Sequence, residues 1–190
     1  GGYQPFGSVL DLIDAVPANA SDAILAALPD YMDAVHEMFE GDEATRAKVL
    51  GYASGKLSPV LSRIGYDARE GEGPQVPLLR QSLISTLGQM GEPMVVAEAR
   101  KRFAALSANP AALDGPLKFV WLGIVAHGAD QPTWDTLRAM ANKAPSQLEK
   151  SQYFALLGRV RDDKLAAQAL DLAMTDEPGK TTSAAIISTV

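Results

Sequence analysis

The chain has 190 residues, 17 Lys and Arg against 23 Asp and Glu, and no cysteine. A net charge of −6 repels phosphate backbones, so nucleic acid is a poor partner. The missing cysteine excludes disulfides, thiolate zinc sites and cysteine nucleophiles, while leaving cytoplasmic and periplasmic settings equally open. At 47 % hydrophobic and 21 % charged the composition is that of a globular chain, and a compact fold of this length buries about 70 % of its surface. No apolar run reaches the ~20 residues of a membrane span.

Apolar residues recur at helical spacing, and nowhere alternate over a strand length. In chain order, Val9 to Ala15, Ser21 to Glu40 and Glu43 to Ile64 are the first expected helices. Pro29 should break or kink the second, and Pro59 should kink or split the third. Arg69 to Pro77, with Gly71, Gly73, Pro74 and Pro77, is the most linker-like segment. A subdomain junction could fall there, but the segment is read as a surface loop within one helical-repeat domain over 1–190.

Five apolar stripes follow: Leu79, Leu83, Leu87 and Met90; Val96, Ala99, Phe103 and Leu106; Leu117, Val120, Trp121 and Ile124; Tyr153, Leu156, Leu157 and Val160; Ala166, Ala169, Leu170 and Ala173. Each makes one helix face. Gly91-Glu92-Pro93, Asp114-Gly115-Pro116, Gly128 to Pro132, Gly158 to Asp162 and Pro178-Gly179 punctuate them. Ser146 and Glu149 form a capping box, and Asp162 reads as an N-cap. Helix starts are expected near 77, 93, 116, 132, 147 and 163. Short connections favour antiparallel neighbours. The fold class expected is all-α: antiparallel helical hairpins stacked as an irregular HEAT- or armadillo-like α-solenoid.

Several motifs imitate catalytic sites. His36-Glu37-Met38-Phe39-Glu40 opens like a zinc-peptidase helix, but H-E-x-x-H needs a second imidazole one turn on, and position 40 is Glu. The other histidine, His127, is far along the chain, so the segment is read as plain helix surface with no metal. Gly179-Lys180-Thr181 resembles the end of a P-loop, yet position 174 is Met where that motif needs Gly, and the context is helical. Gly51-Tyr52-Ala53-Ser54-Gly55 has Ser misplaced for a nucleophile elbow, and no spacing supports a triad of Ser54, His127 and an Asp. Arg100, Lys101 and Arg102 fan over more than half a helical turn and read as a solvated face. Trp121 and Trp134 read as core. No catalytic or metal residue is assigned, and substrate-binding residues are not identifiable from spacing.

The run Leu57-Ser58-Pro59-Val60-Leu61-Ser62-Arg63-Ile64-Gly65-Tyr66-Asp67 is followed by Gly71-Glu72, Leu78-Leu79-Arg80, Leu87-Gly88, Gly91-Glu92-Pro93 and Glu98-Ala99-Arg100-Lys101-Arg102-Phe103. Farther on come Asn109-Pro110, Leu113, Val125-Ala126, Trp134-Asp135-Thr136-Leu137, Glu149-Lys150 and Arg161-Asp162. Their order and spacing, from about Val9 to the end, resemble the C-terminal helical domain of gluzincin aminopeptidases, the class of puromycin-sensitive and endoplasmic-reticulum aminopeptidases and aminopeptidase N.

The resemblance implies a non-catalytic fragment of a longer parent, since that family carries its zinc site and its G-A-M-E-N motif in an upstream catalytic domain. Neither H-E-x-x-H nor G-A-M-E-N occurs here. It implies no cofactor in this chain and zinc in the missing domain. The implied partners are that catalytic domain and a peptide substrate, over which the helical domain closes to control access. An Arg or Lys would pair the peptide's C-terminal carboxylate. Ser183 to Val190 reads as a helix cut near its middle, and any targeting signal would lie in the missing N-terminal part. The alternative is a free-standing HEAT-like protein-binding scaffold, and a third reading is an enzyme whose site is not recognised.

Overall fold

The computed structural model describes residues 6–17 and 19–190, so Gly1 and Gly2 lie outside the described residues. The described residues are all-helical, with no strand among them. They divide into two compact units, Gly1–Val95 and Val96–Val190.

The first unit holds α1 (Phe6–Ala15), α2 (Asp22–Leu25), α3 (Leu28–Glu37), α4 (Glu43–Ile64) and α5 (Val76–Gln89). The division falls in the first turn of α6 (Pro93–Ala105). Pro29 separates α2 from α3 as expected. It sits in the first turn of α3, where a missing N–H costs nothing. Pro59 does not split α4, which runs unbroken through 22 residues. Proline there removes the bond to the Gly55 carbonyl, and both residues lie on the exposed face, where water can take the partner's place. The opposite face, Ala53, Leu57, Val60, Leu61 and Ile64, is buried at i, i+4, i+7, i+8 and i+11. It meets α3 and α5, where Leu79, Leu83, Leu87 and Met90 are buried as their spacing predicts.

The loop after α4 is tied down by Arg80, which is 2 % exposed. Its Nε donates to the Gly65 carbonyl at 2.9 Å, and Nη2 donates to that of Ile64 at 3.4 Å. These are orphan acceptors at a helix C-terminus, where a cation also meets the negative end of the helix dipole. The same guanidinium grips Glu72 through Nη1 at 3.0 Å and through Nη2. The segment 69–75 is thus a loop inside the first unit, held by the Arg80–Glu72 ion pair, while Val76 and Pro77 already open α5.

The second unit holds the rest of α6 with α7 (Lys118–His127), α8 (Gln131–Lys143), α9 (Gln147–Leu157), α10 (Asp163–Ala173) and α11 (Lys180–Ile187). Helix α9 is central and packs on α7, α8, α10 and α11. Three residues link α8 to α9, so the chain must reverse between them. Asp130 and Asp162 cap α8 and α10 by accepting from Thr133 N–H and from Lys164 and Leu165 N–H. Ser146 accepts from Glu149 N–H at 3.2 Å. The expected reciprocal bond of the capping box is not made, because Glu149 turns its carboxylate to Lys118, 3.4 Å away.

Two expected stripes need correction. On α10 the buried residues are Leu165, Ala169, Leu172 and Ala173, while Leu170 is 40 % exposed. On α6 Val95 is buried, while Val96, Phe103 and Leu106 are half-buried. In both cases several apolar residues compete for one narrow stripe, and packing partners choose the phase. The last helix starts three residues before the expected Ser183 and ends at Ile187. There Thr189 Oγ1 donates to the Ala155 carbonyl of α9 at 3.0 Å. Gly158 makes that approach possible. A Cβ there would lie 2.7 Å from the Ile186 carbonyl and on top of Thr189 Oγ1.

Candidate functional site

The imitated motifs resolve into structural roles. His36 is buried rather than on the helix surface, at 5 % exposure. Its Nε2 accepts from Arg46 Nε at 3.3 Å, and its Nδ1 lies 3.3 Å from Arg46 Nη2. Helix α3 delivers His36 to this contact because Leu28, Met32, Val35 and His36 share its inward face. Glu37 and Glu40 are exposed. His127, at the end of α7, places Nδ1 3.3 Å from the Arg159 carbonyl. Among the described residues no three His, Cys, Asp or Glu side chains gather as a metal ion requires.

Gly51 to Gly55 lies within the continuous α4, so Ser54 is on no elbow. Gly179, at φ 84°, takes a left-handed turn that suits glycine and opens α11. The residues before it follow helix α10, with no strand as a P-loop needs. The side chains of Lys180 and Thr181 lie outside the described set. Trp121 and Trp134 are core residues, 2 % and 0 % exposed. The Trp134 indole N–H donates to the Leu157 carbonyl at 3.1 Å, joining α8 to α9.

Among Arg100, Lys101 and Arg102 the solvated-face reading holds for the first two. Lys101 and Arg102 both reach Glu98, at 3.2 and 2.8 Å, and the Arg102 guanidinium also stands 4.9 Å above the Trp121 ring.

Three polar groupings escaped motif reading. The first is the Arg80–Glu72 knot, where hydrogen bonds from Arg80 hold the Glu72 carboxyl below its usual range. The second centres on Glu177, in the turn between α10 and α11. It accepts from Arg138 Nε at 2.8 Å, from Arg138 Nη2, and from Asn142 Nδ2 at 2.8 Å. Lys150 Nζ donates to its backbone carbonyl at 3.2 Å. The Arg138 hydrogen bonds, then Asn142, pull the Glu177 carboxyl down to about 2. This grouping fastens the last turn to α8 and α9.

The third grouping is cationic and lies along α7. The Arg159 guanidinium rests over Gly123, where a Cβ would be 3.4 Å away, and a Cβ at Gly128 would likewise lie 3.5 Å from Arg100 Nη2. Arg161 donates its N–H to the His127 carbonyl at 3.2 Å. Hydrogen bonds from Thr133 hold the Asp130 carboxyl below its usual range, and the charge of Arg100 adds a smaller pull in the same direction. Arg159 is exposed, and no ion pair among the described residues involves it. Such a guanidinium is suited to a planar carboxylate. The signal in the sequence was only Gly123 and Arg159, 36 positions apart, which no motif joins.

Chemically, these arrangements hold ion pairs and present guanidinium groups. They place no nucleophile beside a base. Comparison with known proteins agrees with the resemblance. Residues 1–190 match the family described as ERAP1-like C-terminal domain. Aminopeptidase M1-A of rice (Oryza sativa subsp. japonica) is 32 % identical over 103 residues, covering 54 % of this chain and 12 % of that protein. Aminopeptidase M1-C of rice is 23 % identical over 175 residues, covering 90 % of this chain and 18 % of that protein. The chain therefore spans less than a fifth of the length of these curated relatives.

Proposed function

The chain belongs to the ERAP1-like C-terminal domain family, and we propose that it closes over a zinc-dependent catalytic domain of the same polypeptide and controls the access of peptides. The observation that carries this reading is the family match over the whole chain, to proteins whose curated relatives are aminopeptidases many times its matched length. The donor set here does not fit zinc. His36 is committed to Arg46, and no three metal-ligating side chains converge among the described residues. The zinc of such an enzyme would sit in the catalytic domain, and this chain contributes no step of the hydrolysis.

Its contribution is to bind and enclose. A domain that covers an active site excludes water and long polypeptides, and its opening releases product. We assign a peptide's C-terminal carboxylate to Arg159, an exposed guanidinium in no ion pair among the described residues, with the equally exposed Arg100 as the second candidate. Lys118 is less suited, being occupied by Glu149 and standing over the Phe119 and Tyr153 rings.

The test compares the product of the full reading frame with this chain alone. An aminoacyl reporter should be turned over by the full product and abolished by a chelator, with no turnover by the chain alone. Arg159→Ala in the full product should raise KM for peptides about tenfold or more, the equivalent of one charge-assisted hydrogen bond. It should leave a reporter lacking a carboxylate unaffected. Chelator-sensitive turnover by the chain alone would overturn the non-catalytic reading. A full-length product no longer than this chain would favour the free-standing scaffold. If removing the domain leaves the peptide-length preference intact, control of access is wrong.

A further inference from the structure

Residues 1–45 hold nine Asp and Glu and no Lys or Arg. Four of these acids, Asp30, Asp33, Glu37 and Glu40, lie on α3 or just past it, and no ion pair among the described residues involves them. The cations of the first unit are engaged elsewhere. Lys56 meets Asp14, Arg63 meets Asp22, and Arg80 meets Glu72. Arg46 lies 3.6 Å from Glu43 and reaches α3 at His36, on its inward face. Arg69 donates to the Arg63 carbonyl at 2.9 Å. Lys48 adds a small pull on the Asp42 carboxyl, which Thr45 chiefly holds down.

The outward side of α3 carries two adjacent rows. Tyr31, Ala34 and Met38 stand at i, i+3 and i+7, and Asp30, Asp33 and Glu37 keep the same spacing one position earlier. Tyr31 is 55 % and Met38 70 % exposed, and Ala34, Asp30 and Glu37 are exposed as well. The opposite side, with Leu28, Met32, Val35 and His36 buried, is the one packed on α4 and α5. Small Ala34 between two larger side chains lets a second helix lie close. Burial, then the charges of Glu37 and Asp30, push the Asp33 carboxyl up. Like charges at this spacing repel, and a cation laid along the row relieves them.

Charge decides the occupant. A second copy of this face would set carboxylates against carboxylates, and an anionic membrane surface would be repelled. The chain spans less than a fifth of its curated relatives, so most of the polypeptide in such proteins lies outside it. We propose that the Tyr31–Ala34–Met38 face of α3 is the docking surface for a basic amphipathic helix from another domain of the same polypeptide. Its apolar stripe rests on Tyr31 and Met38, and its Lys or Arg side chains run along Asp30, Asp33 and Glu37. In this mode anchors at i, i+3 and i+7 give the fit, and the flanking charges fix the register. The inference rests on the reading that the chain is part of a longer enzyme, and it names a surface by which the rest of that enzyme holds the first unit.

Peroxide footprinting of Met38 tests it. Hydrogen peroxide oxidises an exposed thioether to the sulfoxide, and access sets the rate. In this chain alone Met38 should react as freely as Met174, which is 83 % exposed. In the product of the full reading frame Met38 should react about tenfold more slowly than in this chain. In a full product carrying Asp30→Asn with Glu37→Gln, its rate should return to within about twofold of that in the chain alone. Equal Met38 rates in the full product and the chain alone overturn the proposal. So does protection that survives the double substitution. Protection that grows with the concentration of this chain alone assigns the face to a second copy and overturns it too. Should the double variant fail to fold, ionic strength decides. Protection in the wild-type full product must then fall between about 0.05 and 1 M salt, where screening shortens to about 3 Å, and unchanged protection overturns the proposal. The footprint is read without substrate, so it can fail while control of peptide access stands. A peptide-length preference that survives removal of the domain fails the access reading alone, and a full product no longer than this chain overturns both.

Discussion

Residues Gly1–Val95 carry six Lys and Arg against thirteen Asp and Glu, a net charge of −7, while Val96–Val190 carry eleven against ten, a net of +1. Their cores differ as well. Among the described residues every buried aromatic side chain, Trp121, Trp134, Tyr153 and Phe154, lies in the second unit. The first packs Leu, Ile, Val and Met around one long helix. An acidic unit of this kind repels itself, and its acids are answered at a few points: Arg80 with Glu72, Arg63 with Asp22, Lys56 with Asp14. The second unit relies on large rings and short, tightly capped helices, with ion pairs at its edges. The first unit should therefore be vulnerable at one buried charge, and the second at its close packing.

Both tryptophans lie in the second unit, so their fluorescence reports that unit, and exchange of α4 amides reports the first. The largest effect is expected from Arg80→Met, which removes the buried guanidinium from the carbonyls of Ile64 and Gly65 and leaves Glu72 with the Arg69 N–H alone. The first unit should lose about 3–5 kcal/mol in urea unfolding followed by α4 exchange, with the tryptophan transition less affected. Equal loss in both would show that the units unfold as one. Leu172→Ala should cost the second unit about 2–4 kcal/mol, read by tryptophan fluorescence. Gly158→Ala should cost about 1–3 kcal/mol, because α11 must move off α9, and the exchange of α11 amides should rise with it.

Glu177→Gln should cost about 1 kcal/mol near neutral pH, a figure discounted for the solvent that reaches this pair. The sign with pH follows from the depressed carboxyl. The folded state prefers the ionised form, so the stabilisation is present above the ordinary value of 4.5 and is lost as pH falls toward about 2. Wild type and Glu177→Gln should therefore converge in stability across that interval. The smallest effect is expected from Leu170→Ala, about 0.5 kcal/mol, although spacing alone placed Leu170 on the buried stripe. A loss matching that of Leu172→Ala would mean that the face of α10 was misassigned.

Much of the helix order was legible because its punctuation is local. Asp162, Ser146 and Pro29 act through hydrogen bonds or fixed dihedrals within a turn of themselves, so the residue and its consequence are read together. Leu79, Leu83, Leu87 and Met90 were legible because few other apolar residues compete on that face. Leu170 and Leu172 were not separable, since both flank the same stripe and only the neighbours of α10 choose between them. The caps Asp42 and Asp130 carried a local signal that went unread.

The candidate site was far less legible. Arg159 gains its meaning from Gly123, and Glu177 from Arg138 and Asn142, each across more than thirty positions. His36 was misplaced on the surface because nothing in its helix announces that Arg46, past a turn, will cover it. The sequence by itself determined an all-helical chain, where its helices begin, the lack of a complete catalytic motif, and its family likeness, because these rest on residue type and short-range order. Which face each helix buries, which carboxylate each arginine holds, and how proline-bearing α4 stays whole were decided only by tertiary packing, because burial and ion pairing join groups that the chain keeps far apart.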